Sequence, residues 1–274
     1  MKLTRRAALK GVLASTVGAV TGVAAYGVGF ERHHLGVTRA DLPISGLSPS
    51  LDGLRIGLVT DIHHSQMVPS EDVTRAVALV TSERPDLIVL GGDYVTWGDP
   101  DYAGPVAELL SPLNAPHGVF AILGNHDNDR DMPAALAAQH IAVLRDARTR
   151  LEIRGEGLEL AGIRFWTRKA TDIARVLRGT RDTVLLLAHD PRRVTEAAAL
   201  DVPGVLSGHT HGGQVVLPGI GAVARRNFPV VAGLATRENT SLFVSRGVGT
   251  VYVPVRINCP PEIAIVTLRR KSEI

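Results

Sequence analysis

The chain has a single cysteine, Cys259, in 274 residues. No internal disulfide can form, and because no cysteine lies near the N-terminus, a lipid-anchored lipoprotein is not expected. An excess of one charge is also missing from most of the chain. The formal net charge is +3, but Lys2, Arg5, Arg6 and Lys10 are the only charges in the first thirty residues, and the rest carries 26 basic and 27 acidic side chains. That near balance excludes a broad basic groove, so no nucleic-acid partner is indicated. Internal repeats are absent, as are low-complexity tracts beyond the first thirty residues. What remains is a folding chain, 45% hydrophobic and 21% charged, of a length that suits one large domain.

The N-terminus departs from this balance. Basic residues 2–10 are followed by residues 11–30, uncharged and rich in Gly, Ala and Val, and then by a polar run from Glu31 to His34. This is the layout of an export signal. Thr4-Arg5-Arg6-Ala7-Ala8-Leu9-Lys10 resembles a twin-arginine signal, with Ala8 where Phe is common. About 20 apolar residues can also span a bilayer, and no clean small-residue cleavage site follows. Residues 1–30 are therefore read as a twin-arginine signal peptide or an uncleaved membrane anchor. The twin-arginine machinery becomes an expected partner. The expected location is the periplasm, the cell wall or the outer face of the cytoplasmic membrane.

Residues 31–53, with several Pro, Gly and Ser and no sustained period, read as a lead-in crossing the surface, and residues 54–270 as the folded domain. Strands are expected at 55–60, 86–90, 118–123, 183–188, 204–207, 241–244 and 263–268. A hairpin is expected over 151–165. Helices are expected at about 70–84, capped by Ser70, and near 132–140, 171–178 and 192–199. Early strand–helix alternation with a strand-rich second half predicts an α/β fold, a layered sandwich of two sheets with helices outside.

The chemistry-bearing side chains follow directly after apolar strands. Asp61 and His63 follow 55–60, Asp93 follows DLIVLGG, Asn125, His126 and Asp127 follow GVFAILG, His189 follows TVLLLA, and His209 and His211 follow GVLSG. Ligands of open α/β sheets bind beyond the carboxyl ends of strands, so five such loops can converge. Four His, two Asp and one Asn offer nitrogen and oxygen donors without thiolate, which suits Mn, Fe or Zn. Seven ligands exceed the needs of one ion and fit two ions that share a carboxylate. In Asp61-Ile62-His63 and His209-Thr210-His211, the two-residue spacing on extended backbone is expected to point both ligands the same way.

These motifs, D-x-H, G-D, G-N-H-D, a lone H and G-H-T-H in that order, resemble the calcineurin-like metallophosphoesterases over residues 54–268. GHTHGGQ at 208–214, SRGVG at 245–249 and PVRINCPPE at 254–262 are similar to a YkuE/YaeI-like branch of exported or membrane-associated phosphodiesterases. The resemblance implies the αββα metallophosphoesterase fold and a phosphate-ester substrate from the cell envelope. It also implies hydrolysis by water activated between two divalent ions. It places Asp61, His63 and His211 at one ion, Asn125, His189 and His209 at the other, and Asp93 between them. It further casts His126 as the group acting on the phosphoryl or leaving oxygen, with Asp127 orienting it. A phosphomonoesterase with the same metal site, or a non-catalytic scaffold, are the alternative functions. Arg246 and Arg256, inside these motifs, are candidates for gripping phosphate, as are Arg225 and Arg226. Trp97 and Tyr94 are candidates for lining the entry or for packing. Asp99 and Asp101 read as a solvent-facing loop, and Cys259 as a small buried residue.

Overall fold

The computed structural model describes residues 4–224 and 228–271; Arg225 and Arg226 lie outside them. In chain order the elements are α1 (Arg5–Gly29), β1 (Gly36–Ile44), β2 (Arg55–Val59), α2 (Ser70–Ser82), β3 (Leu87–Leu90), α3 (Pro100–Leu110), β4 (Val119–Ala121), α4 (Asp131–Ala138) and β5 (Ala142–Val143). There follow β6 (Ala147–Ile153), β7 (Glu156–Gly162), α5 (Ala170–Val176), β8 (Thr183–Leu187), α6 (Val194–Ala199), β9 (Gly204–Ser207), β10 (Val216–Leu217), β11 (Gly221–Ala222), β12 (Gly233–Arg237), β13 (Thr240–Val244) and β14 (Glu262–Arg270).

Two six-stranded mixed sheets, ordered β1-β14-β2-β3-β4-β5 and β12-β13-β9-β8-β7-β6, lie face to face. The period of two along each strand decides which layer a residue enters. Ile56, Leu58, Leu87 and Val89 point between the sheets, where they meet Leu160, Leu185, Leu187, Leu206 and Phe243. The alternate residues Val59, Ile88 and Leu90 point outward and are covered by Val73, Val77 and Val80 of α2 and by Val106 and Leu110 of α3. On the far side, Ile173 of α5 and Val194 and Ala197 of α6 cover Leu186, Val205 and Leu242. The layers are α, β, β and α, as expected.

Three expectations are corrected. Residues 36–44 are not a surface lead-in: they form β1, paired in parallel with β14, with Leu42 and Ile44 fully buried. Their alternation is hidden because Arg39 and Asp41 occupy the outward face and Pro43 interrupts the run. Residues 100–110 are helical. Asp99 is the N-cap, accepting from Asp101 N–H (3.0 Å), and Pro100 occupies the first turn, where a missing N–H costs nothing. Ser70 is the first residue of α2 rather than its cap; Pro69 precedes it and no side chain caps this end.

The strands β2, β3 and β4 run parallel, as do β7, β8, β9 and β13. Parallel neighbours release their carboxyl ends on the same side, which brings the loops after β2, β3, β4, β8 and β9 together.

Candidate metal centre

Asp61, His63 and His211 form one group of potential ligands, and Asp93, His189 and His209 a second. Within each group the ligand atoms lie within 4.8 Å of one another. Asp93 belongs to the second group and also reaches the first: its Oδ2 is 3.1 Å from His189 Nε2 and 3.5 Å from His63 Nε2. Asn125 lines the same cavity as Asp93 and His209. The structure thus assembles all seven side chains singled out in the sequence.

The route to this assembly differs from the expected one. Asp61 (φ 53°), His63 (50°), Asp93 (56°), His209 (72°) and His211 (51°) all have left-handed backbone, so neither pair two residues apart is extended. The chain kinks at each of these five residues, which sends His209 to one group and His211 to the other. Each such residue costs on the order of 1–3 kcal/mol and persists only where its surroundings hold it. Asp61 is held by two donors: Thr60 Oγ1–H donates to its Oδ2, and His209 N–H to its carboxylate (2.9 Å). Asp93 Oδ1 accepts from His126 N–H (2.8 Å). Gly124 is required by close approach, since a Cβ there would lie 2.0 Å from Asp93 Oδ1. Gly247 (φ 71°) is required twice over, because its backbone is left-handed and a Cβ would lie 2.5 Å from that of Asp61.

The ring nitrogens are set for ligation. His189 Nδ1–H donates to Gly91 O (2.7 Å), which directs Nε2 at Asp93. His63 Nε2 and His211 Nε2 face each other at 3.1 Å, and Thr96 Oγ1 lies 3.3 Å from His63 Nδ1. Asn125 Oδ1 and His211 Nδ1 are buried with no hydrogen-bond partner among the described residues. Buried polar atoms without partners, and lone pairs converging on one point, fit a cation. Burial pushes His63 down to about 4 and His209 to about 3, and holds His211 well below its ordinary value. All three are therefore neutral, the ligating form, at neutral pH. Burial raises Asp61 to about 6. Burial would lower His189, but the Asp93 and Asp61 carboxylates outweigh it and raise it to about 10.

The remaining candidates divide. His126 is buried beside the ligands, its ring centroid 4.9 Å from that of His63, and its Nδ1 accepts from Trp97 N–H (3.2 Å). Burial lowers its pKa, so the neutral ring carries its proton on Nε2. Asp127 does not orient His126: its carboxylate accepts from the N–H groups of Asp93 (2.7 Å), Tyr94 (2.8 Å) and Gly124 (2.8 Å). It ties the loop after β3 to the loop after β4. Arg256 cannot grip substrate, being fully buried with its guanidinium committed to the carbonyls of Arg246, Gly247, Gly249 and Cys259. Arg246 is held by Glu262 (2.6 Å) and Thr38 (3.1 Å), and does not line the cavity beside the ligands. The expectation failed because spacing places an arginine in a loop without saying whether the loop closes over it.

Tyr94 is buried, its Oη–H between Leu90 O and Ile122 O, whereas Trp97 stands 70% exposed at the mouth. Tyr252, Phe228 and Phe165 were missed. Tyr252 and Phe228 line the cavity, and the Phe165 ring lies 5.2 Å from that of His209. The one available clue was the apolar run Val251-Tyr252-Val253-Pro254-Val255, too broken for a strand.

The calcineurin-like phosphoesterase family matches residues 54–213. YkuE of Bacillus subtilis, an uncharacterized metallophosphoesterase, is 31% identical over 98% of this chain and 98% of its own. The phosphodiesterase YaeI of Escherichia coli is 32% identical over 78% of this chain and 82% of its own. A transmembrane protein with a metallophosphoesterase domain from Danio rerio is 31% identical over 94% of this chain and 62% of its own. TT1561 of Thermus thermophilus shares the fold, with a TM-score of 0.51 at 11% identity over 72% of this chain and 90% of its own. With five strand-end loops delivering imidazole, carboxylate and amide to one place, and relatives matched over nearly the whole length, the chain belongs to the calcineurin-like metallophosphoesterases, metal-dependent hydrolases of phosphoric esters.

Proposed function

We propose that this chain is an exported phosphodiesterase of the cell envelope, working with two divalent ions drawn from Mn, Fe and Zn. The twin-arginine motif and the apolar helix α1 support export and membrane retention. The printed name of YaeI supports diester chemistry. The observation that carries the reading is the position of Asp93, a member of one ligand group whose Oδ2 also faces His63 of the other at 3.5 Å. In this reading Asp61, His63 and His211 hold one ion, Asn125, His189 and His209 the other, and Asp93 both. Such ions, when bound, lower the pKa of water between them and draw charge from phosphoryl oxygens.

The protein's own part is positioning and proton delivery. The proton on His126 Nε2 points away from the Trp97 N–H that fixes its Nδ1, so the ring donates to a phosphoryl or leaving oxygen beside the ligands. His126→Ala is expected to retain both metals and lose about 10²- to 10⁴-fold of its turnover of bis(p-nitrophenyl) phosphate. Metal content by plasma mass spectrometry, beside the rate, checks this; full activity in the alanine variant would remove the role. Comparing that diester with p-nitrophenyl phosphate separates diesterase from monoesterase. A metal-loaded protein inert on both sinks the enzymatic reading.

Metal affinity should rise with pH. His189, raised to about 10, must give up its proton to ligate, so between pH 7 and 9 about one proton is released and affinity climbs about tenfold per pH unit. Below pH 6 the protonated Asp61 adds a second proton and steepens the slope. Competition with a chelating dye across this range measures it, and a flat profile would contradict the assignment.

A further inference from the structure

Beside the ligands lies a cavity of about 230 Å³ lined by both polar and apolar side chains. Asp93, Asn125, His126 and His209 line it together with Val215, Val223, Phe228, Val251, Tyr252 and Val253, the Phe228 ring 5.5 Å from that of His209 and the Tyr252 ring 6.3 Å from that of His126. A phosphate at the ligands would therefore have apolar wall directly beside it. The volume is below the roughly 300–1,000 Å³ of a pocket that encloses a whole small molecule, so it receives only part of one.

The rim continues the apolar wall outward. Tyr252 (59% exposed) and Val223 (63%), which line the cavity, and Trp97 (70%), whose ring lies 5.4 Å from that of Tyr252, stand in solvent at the mouth. Clustered exposed apolar side chains mark contact surfaces, and Trp and Tyr favour the boundary between water and lipid.

Helix α1 indicates which surface is contacted. It is exposed, apolar and 25 residues long, about 37 Å at helical rise, enough to cross a bilayer. Its foot is joined to the body next to the cavity. Gly27 is buried against Val255, Arg256 and Ile257, where a Cβ would lie 2.6 Å from Arg256 O, and Arg256 N–H donates to Gly27 O (3.2 Å). Cys259 N–H donates to Glu31 Oε1 (2.6 Å), and Arg32 to Met67 O (2.8 Å). Only Pro254 separates the cavity residue Val253 from the helix contact Val255, so a helix seated in a bilayer brings the mouth to the lipid surface.

The geometry points to an amphiphilic substrate: a phosphodiester bearing a hydrocarbon chain, taken from the lipid layer holding α1, with its phosphate at the ligands and its first carbons in the cavity. This inference rests on the phosphodiesterase reading above and adds the substrate class. The chain beyond the cavity stays along the rim and in the bilayer. Hydrolysis is unchanged in kind: water adds at phosphorus, the ester bond breaks, and the leaving oxygen takes a proton.

The test uses the full chain in dodecyl maltoside micelles, which hold α1 without supplying a competing phosphodiester, loaded with the divalent metal that best supports turnover of bis(p-nitrophenyl) phosphate. Methyl, butyl and hexyl p-nitrophenyl phosphate share one reacting centre and differ only in apolar length. We expect kcat/KM to rise at least about tenfold from methyl to hexyl as methylenes enter the cavity. Val223→Asp is expected to cut the hexyl-to-methyl ratio at least about fivefold, with methyl ester turnover in the same sample reporting folded enzyme. A flat series with the methyl ester turned over overturns the lipid assignment alone and assigns the rim to protein contact. An unchanged ratio in Val223→Asp overturns the placement of the chain in this cavity. No turnover of any ester overturns the phosphodiesterase reading as well.

Discussion

Asp93→Asn is expected to reduce diester turnover at least about 10³-fold, well beyond the roughly 10- to 100-fold cost of losing a partner outside the ligand set. Asparagine has the size of aspartate, and its amide oxygen can still accept from His126 N–H, so the loop should keep its course. What disappears is the negative charge and the second acceptor, the Oδ2 that faces His189 at 3.1 Å and His63 at 3.5 Å. Asp61, the other acidic member of the two groups, lies farther from His189 Nε2, at 3.8 Å. Bound metal should fall from two ions per chain to one or fewer. Two metals with turnover within tenfold of the parent would show that Asp93 does not bridge.

Arg256→Met is the second large effect, and it is expected in stability. The fully buried guanidinium donates to Gly249 O (2.6 Å), Arg246 O (2.8 Å), Cys259 O (3.1 Å) and Gly247 O (3.2 Å). Methionine fills much of the space but leaves these carbonyls without donors, at about 1–3 kcal/mol for each that cannot reach water. We expect a loss of at least about 3 kcal/mol and a Tm lower by about 6–12 °C for a chain of this size. Arg256→Lys should recover only part of it, because an ammonium cannot reproduce the planar fork. The loop so held also reaches a candidate metal ligand, as Gly249 N–H donates to Asp61 O (2.7 Å) and Val248 N–H to the preceding Thr60 O (3.0 Å). Chemical denaturation of the metal-free protein separates the two consequences. A methionine variant unfolding at the parent's denaturant concentration would contradict the account.

The misread residues share a physical origin. Spacing reports what is near along the chain, and β1 escaped notice because it finds its partner, β14, more than two hundred residues away. Helix α3 was hidden by Pro100 and Pro105, which look like breakers until one is seen in the first turn. Asp127 sits beside His126 in sequence, and adjacency suggested a pair, yet its carboxylate turns to the backbone of another loop. The left-handed backbone at five of the candidate ligands is likewise illegible, because aspartate and histidine adopt it only under the pressure of their surroundings.

The order of residues alone determined the chemistry available and its approximate place. Imidazoles, carboxylates and an amide follow apolar strands, and in a sheet of parallel strands those ends share a side. The same order determined the apolar N-terminal segment, from its unbroken uncharged run, and the layered α/β class, from local hydrophobic period. Tertiary structure decided which candidate ligands belong together, which arginine is sealed inside, and that a cavity with apolar lining opens beside them next to the foot of α1. Those outcomes depend on distances between segments remote in the chain, set by packing two sheets face to face, and no local pattern encodes them.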